Sequence, residues 1–300
     1  MSDMYLTDDA HGDQWRLMLG DSCERLAELA DESVHLSVYS PPFASLFTYS
    51  PSVRDLGNSS SRAEFFTHYR YIIEQNLRLT VPGRIACVHV QQLTTTKASN
   101  GVVGLTDFRG EVIREYMAAG WIFHGEVTVN KDPQAQAIRT KAQALMFVTK
   151  NRDSSKTRPA LADYLLMFRK PGENPIPIKT DVSNDEWIDW AQPVWLDIKE
   201  TNTLNARAGR DEADERHICP LQLDFIERCV RLWSNLGETV LSPFAGIGSE
   251  VWTARKFGRY GIGCELKKSY FDTAVANLRR LDADLDTPAL LDLDGAVLAS

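Results

Sequence analysis

The stretch Glu238-Thr-Val-Leu-Ser242-Pro-Phe-Ala-Gly246-Ile-Gly248-Ser-Glu250 passes from a short apolar run, through a proline and two glycines, into a polar helix start. It reads as a buried strand, a tight turn and the first turn of a helix. Gly246 and Gly248 let the backbone approach a ligand with no Cβ in the way. The helix that follows presents unpaired N–H groups. Further on, Glu265 closes a second apolar segment, Tyr260–Cys264. A carboxylate there can accept two hydrogen bonds from ribose hydroxyls, the logic of dinucleotide-binding folds. Position 251 is Val, so GxGxxG is not completed, and no GKS or GKT is present. Ribose and adenine without phosphates fit better, and S-adenosylmethionine is such a ligand. The glycines alone would also suit a plain packing turn; Glu265 at this spacing favours the nucleoside.

Outward from that stretch, apolar runs alternate with segments of helical spacing. Strands are expected at Trp15–Leu19, Val34–Tyr39, Ile85–Val90, Trp121–Val129, Tyr164–Phe168, Thr239–Leu241 and Tyr260–Cys264. Helices are expected at Arg62–Leu79, Gly110–Ala119, Leu221–Leu232, Ser249–Lys256 and Ser269–Leu278. Such alternation implies an α/β fold with a mostly parallel, doubly wound sheet covered on both faces. Two segments break the rhythm: polar 131–162, and 171–217 with Trp187, Trp190 and Trp195. Residues 281–300, acidic in character, read as a peripheral tail. No internal repeat is present, and one domain spanning 1–300 accounts for the length.

Ser40-Pro41-Pro42-Phe43 follows the strand Val34–Tyr39 directly, the place where ligands of parallel sheets bind. Two prolines remove two N–H donors, leaving carbonyl oxygens, the Ser40 hydroxyl and the Phe43 ring. That set suits a flat base with an exocyclic NH₂ group. Ser40 Oγ and a carbonyl accept its two protons while Phe43 stacks on the ring. Those bonds draw the amine lone pair out of conjugation, so that it can attack a sulfonium methyl group. Ser40 could also donate to a ring nitrogen. By itself the tetrad could equally be a Pro-Pro strand cap.

Together these segments carry a family resemblance. SPPF is similar to the tetrad of DNA amino-methyltransferases, and LSPFAGIGSE (241–250) to their cofactor loop. GIGCELKKSYFDTA (261–274) resembles the segment whose acid holds the ribose, and GDSCERLAELADESVHL (20–36) the lead-in to the tetrad. GWIFHGEVTVNKD (120–132), ADYLLMFRKPG (162–172) and HICPLQLDFIERCVRLWSNLGETV (217–240) look like further family segments. The tetrad precedes the cofactor loop, which is the permuted order of the β class.

The resemblance implies a Rossmann-like S-adenosylmethionine-dependent methyltransferase fold with an inserted DNA-recognition region. It implies catalytic roles for Ser40, Pro41, Pro42 and Phe43. Cofactor contacts would come from Asp21 at the adenine, Glu265 at the ribose, and Pro220 near the methionine. Ser242, Pro243, Phe244, Gly246, Gly248 and Ser249 would form the loop. The implied substrate is double-stranded DNA with a flipped base, cytosine N4 being favoured over adenine N6 because serine tetrads accompany cytosine in this family. Such enzymes belong to restriction–modification systems, often form homodimers and work in the cytoplasm.

Three departures stand out. Ser242 replaces an aspartate, Ile247 and Ser249 replace the usual serine and threonine, and Ala162-Asp163 replaces His-Glu. The first loses a charge-assisted contact to the methionine amino group. The glycines, Glu265 and the tetrad survive, so an active enzyme is expected. Two rivals remain: a DNA-binding protein that has lost catalysis, and a methyltransferase acting on RNA or a small molecule. The net charge of -8 favours the latter slightly.

Within that acidic chain the locally basic Arg139, Lys141, Lys150 and Arg152 are the candidate DNA contacts, with 44–62, 131–162 and 171–217 as recognition segments. A solvated loop would have the same composition. The three tryptophans could stack on bases or pack the insertion onto the sheet, and packing is favoured. Five scattered cysteines without CxxC spacing argue against disulfides and zinc. Cys219-Pro220 has the reverse order of the Pro-Cys nucleophile of ring-carbon methyltransferases, so Cys219 reads as structural. His68, His89 and His217 lack metal-ligand spacing and read as loop or core residues. No apolar run is long enough to span a bilayer, and the acidic N-terminus is not a secretory signal.

Overall fold

The apolar runs become neighbouring strands of one sheet in the computed structural model, which describes residues 6–42, 55–59, 61–95, 97–134, 150–151, 153, 155, 157–204 and 220–287. The strands are β1 Asp8–Gly12, β2 Trp15–Leu19, β3 Val34–Tyr39, β4 Thr80–Gln91, β5 Leu93–Thr95, β6 Gly104–Thr106, β7 Ile122–Val129, β8 Asp163–Arg169, β9 Val194–Trp195, β10 Thr239–Ser242 and β11 Tyr260–Glu265. The helices are α1 Ser22–Arg25, α2 Arg62–Leu79, α3 Lys97–Asn100, α4 Phe108–Ala118, α5 Asn184–Trp190, α6 Leu223–Trp233, α7 Ser249–Lys256 and α8 Lys268–Asp286.

Nine strands form one sheet in the order β1-β2-β11-β10-β3-β4-β8-β7-β9, and β5 pairs with β6 in a separate hairpin. Pairings β2–β11, β11–β10, β10–β3, β3–β4 and β7–β9 are parallel, so the sheet is mostly parallel. The β1–β2, β4–β8 and β7–β8 pairings are antiparallel.

Alternation along each strand sorts its side chains to two faces. Tyr39, Val88 and Phe168 meet Phe65 and Ile73 of α2 and Tyr116 of α4. Leu36, Val38 and Cys87 point the other way, towards Phe225 and Cys229 of α6. Trp15, Leu17 and Val251 pack with Phe271 and Leu278 of α8 on the flank of that second face.

Direction of winding reverses between β3 and β10. From β3 the chain crosses through α2 to β4 on one side, and from β10 it crosses through α7 to β11 on the other. Their parallel pairing aligns Val240 with Leu36 and Leu241 with Ser37. A sheet wound in two directions opens a crevice at the carboxyl ends of the two central strands. The segments that follow β3 and β10 therefore leave neighbouring strands at the same end of the sheet.

Several details differ from the sequence expectations. β1 and the β5–β6 hairpin were not expected, and β4 begins at Thr80, five residues before Ile85. The segment read as a tail from 281 begins in helix, because α8 runs on to Asp286. Leu281 is buried, and Asp282 accepts from Trp15 Nε1 at 2.7 Å and Arg255 Nε at 2.8 Å. These ties make the end of α8 part of the scaffold.

The described part of the 171–217 segment is also built in. Trp195 is buried beside Phe225, and Arg228 lies over the rings of Trp190 and Trp195. Trp187 alone of the three is half exposed.

Candidate active site

The glycine loop after β10 is held by the acid that ends β11. Glu265, at the end of β11, accepts from Gly246 N at 2.8 Å and from Lys267 N at 2.7 Å. Gly246 and Gly248 have φ of 52° and 88°, in the left-handed region that glycine enters without strain. A Cβ added at Gly246 would meet nothing within 4 Å, so the loop borders open space on that side. Burial pushes the Glu265 carboxyl up to about 7; the two backbone N–H bonds oppose this, and the charge of Asp55 adds to it. Each carboxylate oxygen keeps acceptor capacity beyond its one backbone bond.

Asp21 begins α1, one strand away. Its carboxylate accepts from Cys23 N at 2.9 Å, and the N–H of Gly20 donates to the Glu265 carbonyl at 2.8 Å. Asp21 and Glu265 thus leave adjacent parallel strands together. Ser242 and Ser249 are buried, and neither hydroxyl has a hydrogen-bond partner among the described residues. Pro243 and Phe244 follow β10; the Phe244 ring lies 5.8 Å from that of Tyr39. Pro220 precedes Leu221, which packs in the cluster that contains Val38. A glycine turn open to one side, a carboxylate with acceptor capacity and two unpartnered hydroxyls fit a nucleoside with a polar tail.

Glu250 was not singled out from the sequence. It is the second residue of α7, buried, with its carboxyl pushed up to about 8 by burial and by the nearby charge of Glu265, against a bond to its own backbone N–H. Two carboxyl groups of raised pKa beside one loop make it a candidate functional site.

On the tetrad side, Pro41 is buried and Ser40 half-buried. Phe43 lies outside the described residues, as do Arg139, Lys141, Arg152, Cys219 and His217. Lys150 is described and exposed. Behind Ser40 stands a chain of polar groups that the sequence reading missed. His89 Nδ1 lies 3.1 Å from Ser40 Oγ, and His89 Nε2 lies 2.8 Å from Asp163 Oδ2. The same carboxylate oxygen meets Lys131 Nζ at 2.7 Å. His89, Asp163 and Lys131 are all buried. Burial alone would raise the Asp163 carboxyl, but His89 and Lys131 hold it below its ordinary value. The signal available was a histidine inside an apolar run, CVHV, on the strand parallel to the tetrad's own.

The pattern of the N6/N4 DNA methylase family matches residues 34–276. The chain belongs to this family. Among relatives of this DNA methylase, the type II methyltransferase M.MjaI of Methanocaldococcus jannaschii is 23% identical over 85% of this chain and 88% of its own. M.MthZI of Methanothermobacter thermautotrophicus is 31% identical over 37% of this chain and 32% of its own. Among solved structures, TTHA0409 of Thermus thermophilus, assigned as a DNA modification methylase, superposes with a TM-score of 0.65 at 23% identity, covering 87% of this chain and 93% of its own. The PvuII cytosine-N4-specific DNA methyltransferase gives 0.59 at 16% identity, covering 93% and 92%. These likenesses show the methyltransferase fold. Among the described residues, no group of three or more His, Cys, Asp or Glu is placed to hold a metal ion, and no helix is long and apolar enough to cross a membrane.

Proposed function

We propose that this DNA methylase transfers a methyl group to N4 of cytosine flipped out of double-stranded DNA into a pocket lined by Ser40, Pro41, Pro42 and Phe43. The cofactor is S-adenosylmethionine. When bound, it supplies an electrophilic methyl group on a sulfonium centre. Glu265 accepts from the ribose hydroxyls, and Asp21 faces the adenine. Ser242–Ser249 and Pro220 enclose the methionine part. The observation that supports this reading is the parallel pairing of β3 with β10, so that the tetrad and the glycine loop follow neighbouring strands at the same end of the sheet. Ser40 Oγ and the tetrad carbonyls accept the amine protons, so that the nitrogen lone pair turns towards the methyl carbon.

Ser40 supports cytosine because a neutral hydroxyl stands where adenine-specific relatives of this tetrad carry a carboxylate. Lys150 and its basic neighbours Arg139, Lys141 and Arg152 supply phosphate contacts. The test is to digest treated DNA to nucleosides and identify the methylated one by mass spectrometry. N4-methyl-2′-deoxycytidine is expected. N6-methyl-2′-deoxyadenosine as sole product would refute the cytosine assignment and leave the amino-methyltransferase reading standing. Methyl transfer to RNA alone would refute both the base and the substrate.

A further inference from the structure

We propose that His89 is a positioning residue that orients the Ser40 hydroxyl and takes up the proton released by the target amine, with Asp163 setting its tautomer. This rests on the reading of Ser40–Phe43 as the base pocket. An ionised carboxylate only accepts hydrogen bonds, so its 2.8 Å contact puts the proton of neutral His89 on Nε2. Nδ1 is then an acceptor, 3.1 Å from Ser40 Oγ. The one Ser40 proton goes to that nitrogen rather than to the backbone carbonyl of His89, which is farther away at 3.3 Å. With its proton committed behind it, Ser40 presents only lone pairs to the pocket. It accepts from the exocyclic amine and does not donate to a ring nitrogen of the base.

The same bond gives the leaving proton a path. As the N–C bond forms, the methyl C–S bond breaks with its electron pair going to sulfur, and the amine nitrogen becomes cationic. One N–H proton passes to Ser40 Oγ while the Ser40 proton passes to His89 Nδ1. The products are a neutral methylated amine, an unchanged Ser40 and an imidazolium bonded to Asp163. Lys131 meets the same Asp163 carboxylate at 2.7 Å, and the step adds one positive charge to this buried group. The imidazolium then loses its proton to solvent.

Among the described residues, Ser40 after β3 and Asp163 of β8 meet the His89 ring, and Lys131 after β7 meets Asp163. From α6 comes the uncharged Phe225 ring, edge-on at 5.3 Å. If His89 is protonated before turnover, Nδ1–H donates to Ser40 Oγ, Ser40 turns its proton to the His89 carbonyl, and the relay is blocked.

Two measurements on the full chain test this. The first is 15N NMR of the protein labelled at histidine, with the His89 signals assigned by their loss in His89→Gln. The Nε2–H tautomer is expected, with an Nδ1 resonance that shifts in Ser40→Ala. An Nδ1–H tautomer, or no response to Ser40→Ala, overturns the proposal. The second is the single-turnover rate at saturating cofactor and DNA. His89→Gln, whose amide can still donate to Asp163, is expected to slow it on the order of 10²-fold. Cofactor affinity should be unchanged, and Ser40→Ala/His89→Gln together no slower than the worse single variant. Additive losses mean that His89 serves packing only. Absence of transfer by the unmodified chain would refute the parent reading, and the tautomer measurement would still decide the Ser40–His89 bond.

Discussion

Ser22 donates its hydroxyl to the carbonyl oxygen of Pro243 at 2.5 Å, a buried bond between the turn after β2 and the turn after β10. It ties the start of α1, beside Asp21, to the loop after β10 that we propose holds the cofactor. Ser22→Ala removes the donor and leaves the carbonyl buried without it, at a cost of about 1–2 kcal/mol. Urea denaturation should show that loss, and calorimetric titration a smaller loss of cofactor affinity. Unchanged stability would mean that water replaces the hydroxyl.

Cofactor affinity should depend on pH through Glu265. Its carboxyl titrates at about 7 in the free protein, and only the ionised form can accept from both ribose hydroxyls without losing its backbone bonds. Affinity is expected to fall as pH drops through 7, and binding at neutral pH should release protons. Titration in buffers of different ionisation enthalpy measures that release. Glu265→Gln should weaken binding at pH 8 and abolish the proton release. An affinity flat from pH 6 to 8 would place the ribose elsewhere.

Glu250 is expected to make the free protein less stable at alkaline pH. Its folded-state pKa, raised to about 8, means that the folded chain holds the proton more tightly than the unfolded one. The contribution to stability is complete below the unfolded value near 4.5 and is lost as pH rises through 8. Glu250→Gln removes the ionisation, so its advantage should grow from pH 5 to pH 9 and reach a few kcal/mol, given about 1.4 kcal/mol per unit. Denaturation midpoints at the two pH values decide it. A constant difference would show that Glu250 ionises freely.

DNA binding should weaken, and its salt dependence flatten, when Arg139, Lys141, Lys150 and Arg152 are neutralised together. The slope of log K against log salt should drop by about 1 for each phosphate that no longer meets a cation. An unchanged slope would move the DNA surface to another segment.

The strands that flank the crevice were legible because each is apolar, short and bounded by its own punctuation: β3 by Pro41-Pro42, β10 by Pro243 and Gly246. Motif order along the chain then implied the permuted winding. β1 escaped notice because its DDAHG sequence carries no apolar alternation; it is held by pairing with β2. The Ser40–His89–Asp163–Lys131 chain was illegible for a different reason. Its members sit on or beside four different strands, and only the pairings β3–β4, β4–β8 and β7–β8 bring them together. His89 read by itself was a core histidine, and it is one, but with both ring nitrogens engaged. Glu250 was overlooked because a glutamate in the first turn of a helix usually does no more than favour the dipole.

The β3–β10 pairing also has a consequence during synthesis. Its two strands lie about 200 residues apart in the chain. At elongation rates of about 5–20 residues per second, β3 leaves the ribosome roughly 10–40 s before its neighbour exists. Through that interval one edge of the central strand has no partner, and an apolar strand in that condition invites pairing with other nascent chains. The half carrying Ser40 must wait, shielded by α2 and β4 or by a chaperone, for β10 to arrive. A truncated product ending before Thr239 would thus be more than inactive: it would be an aggregation hazard, its open edge in the middle of what should have been the sheet.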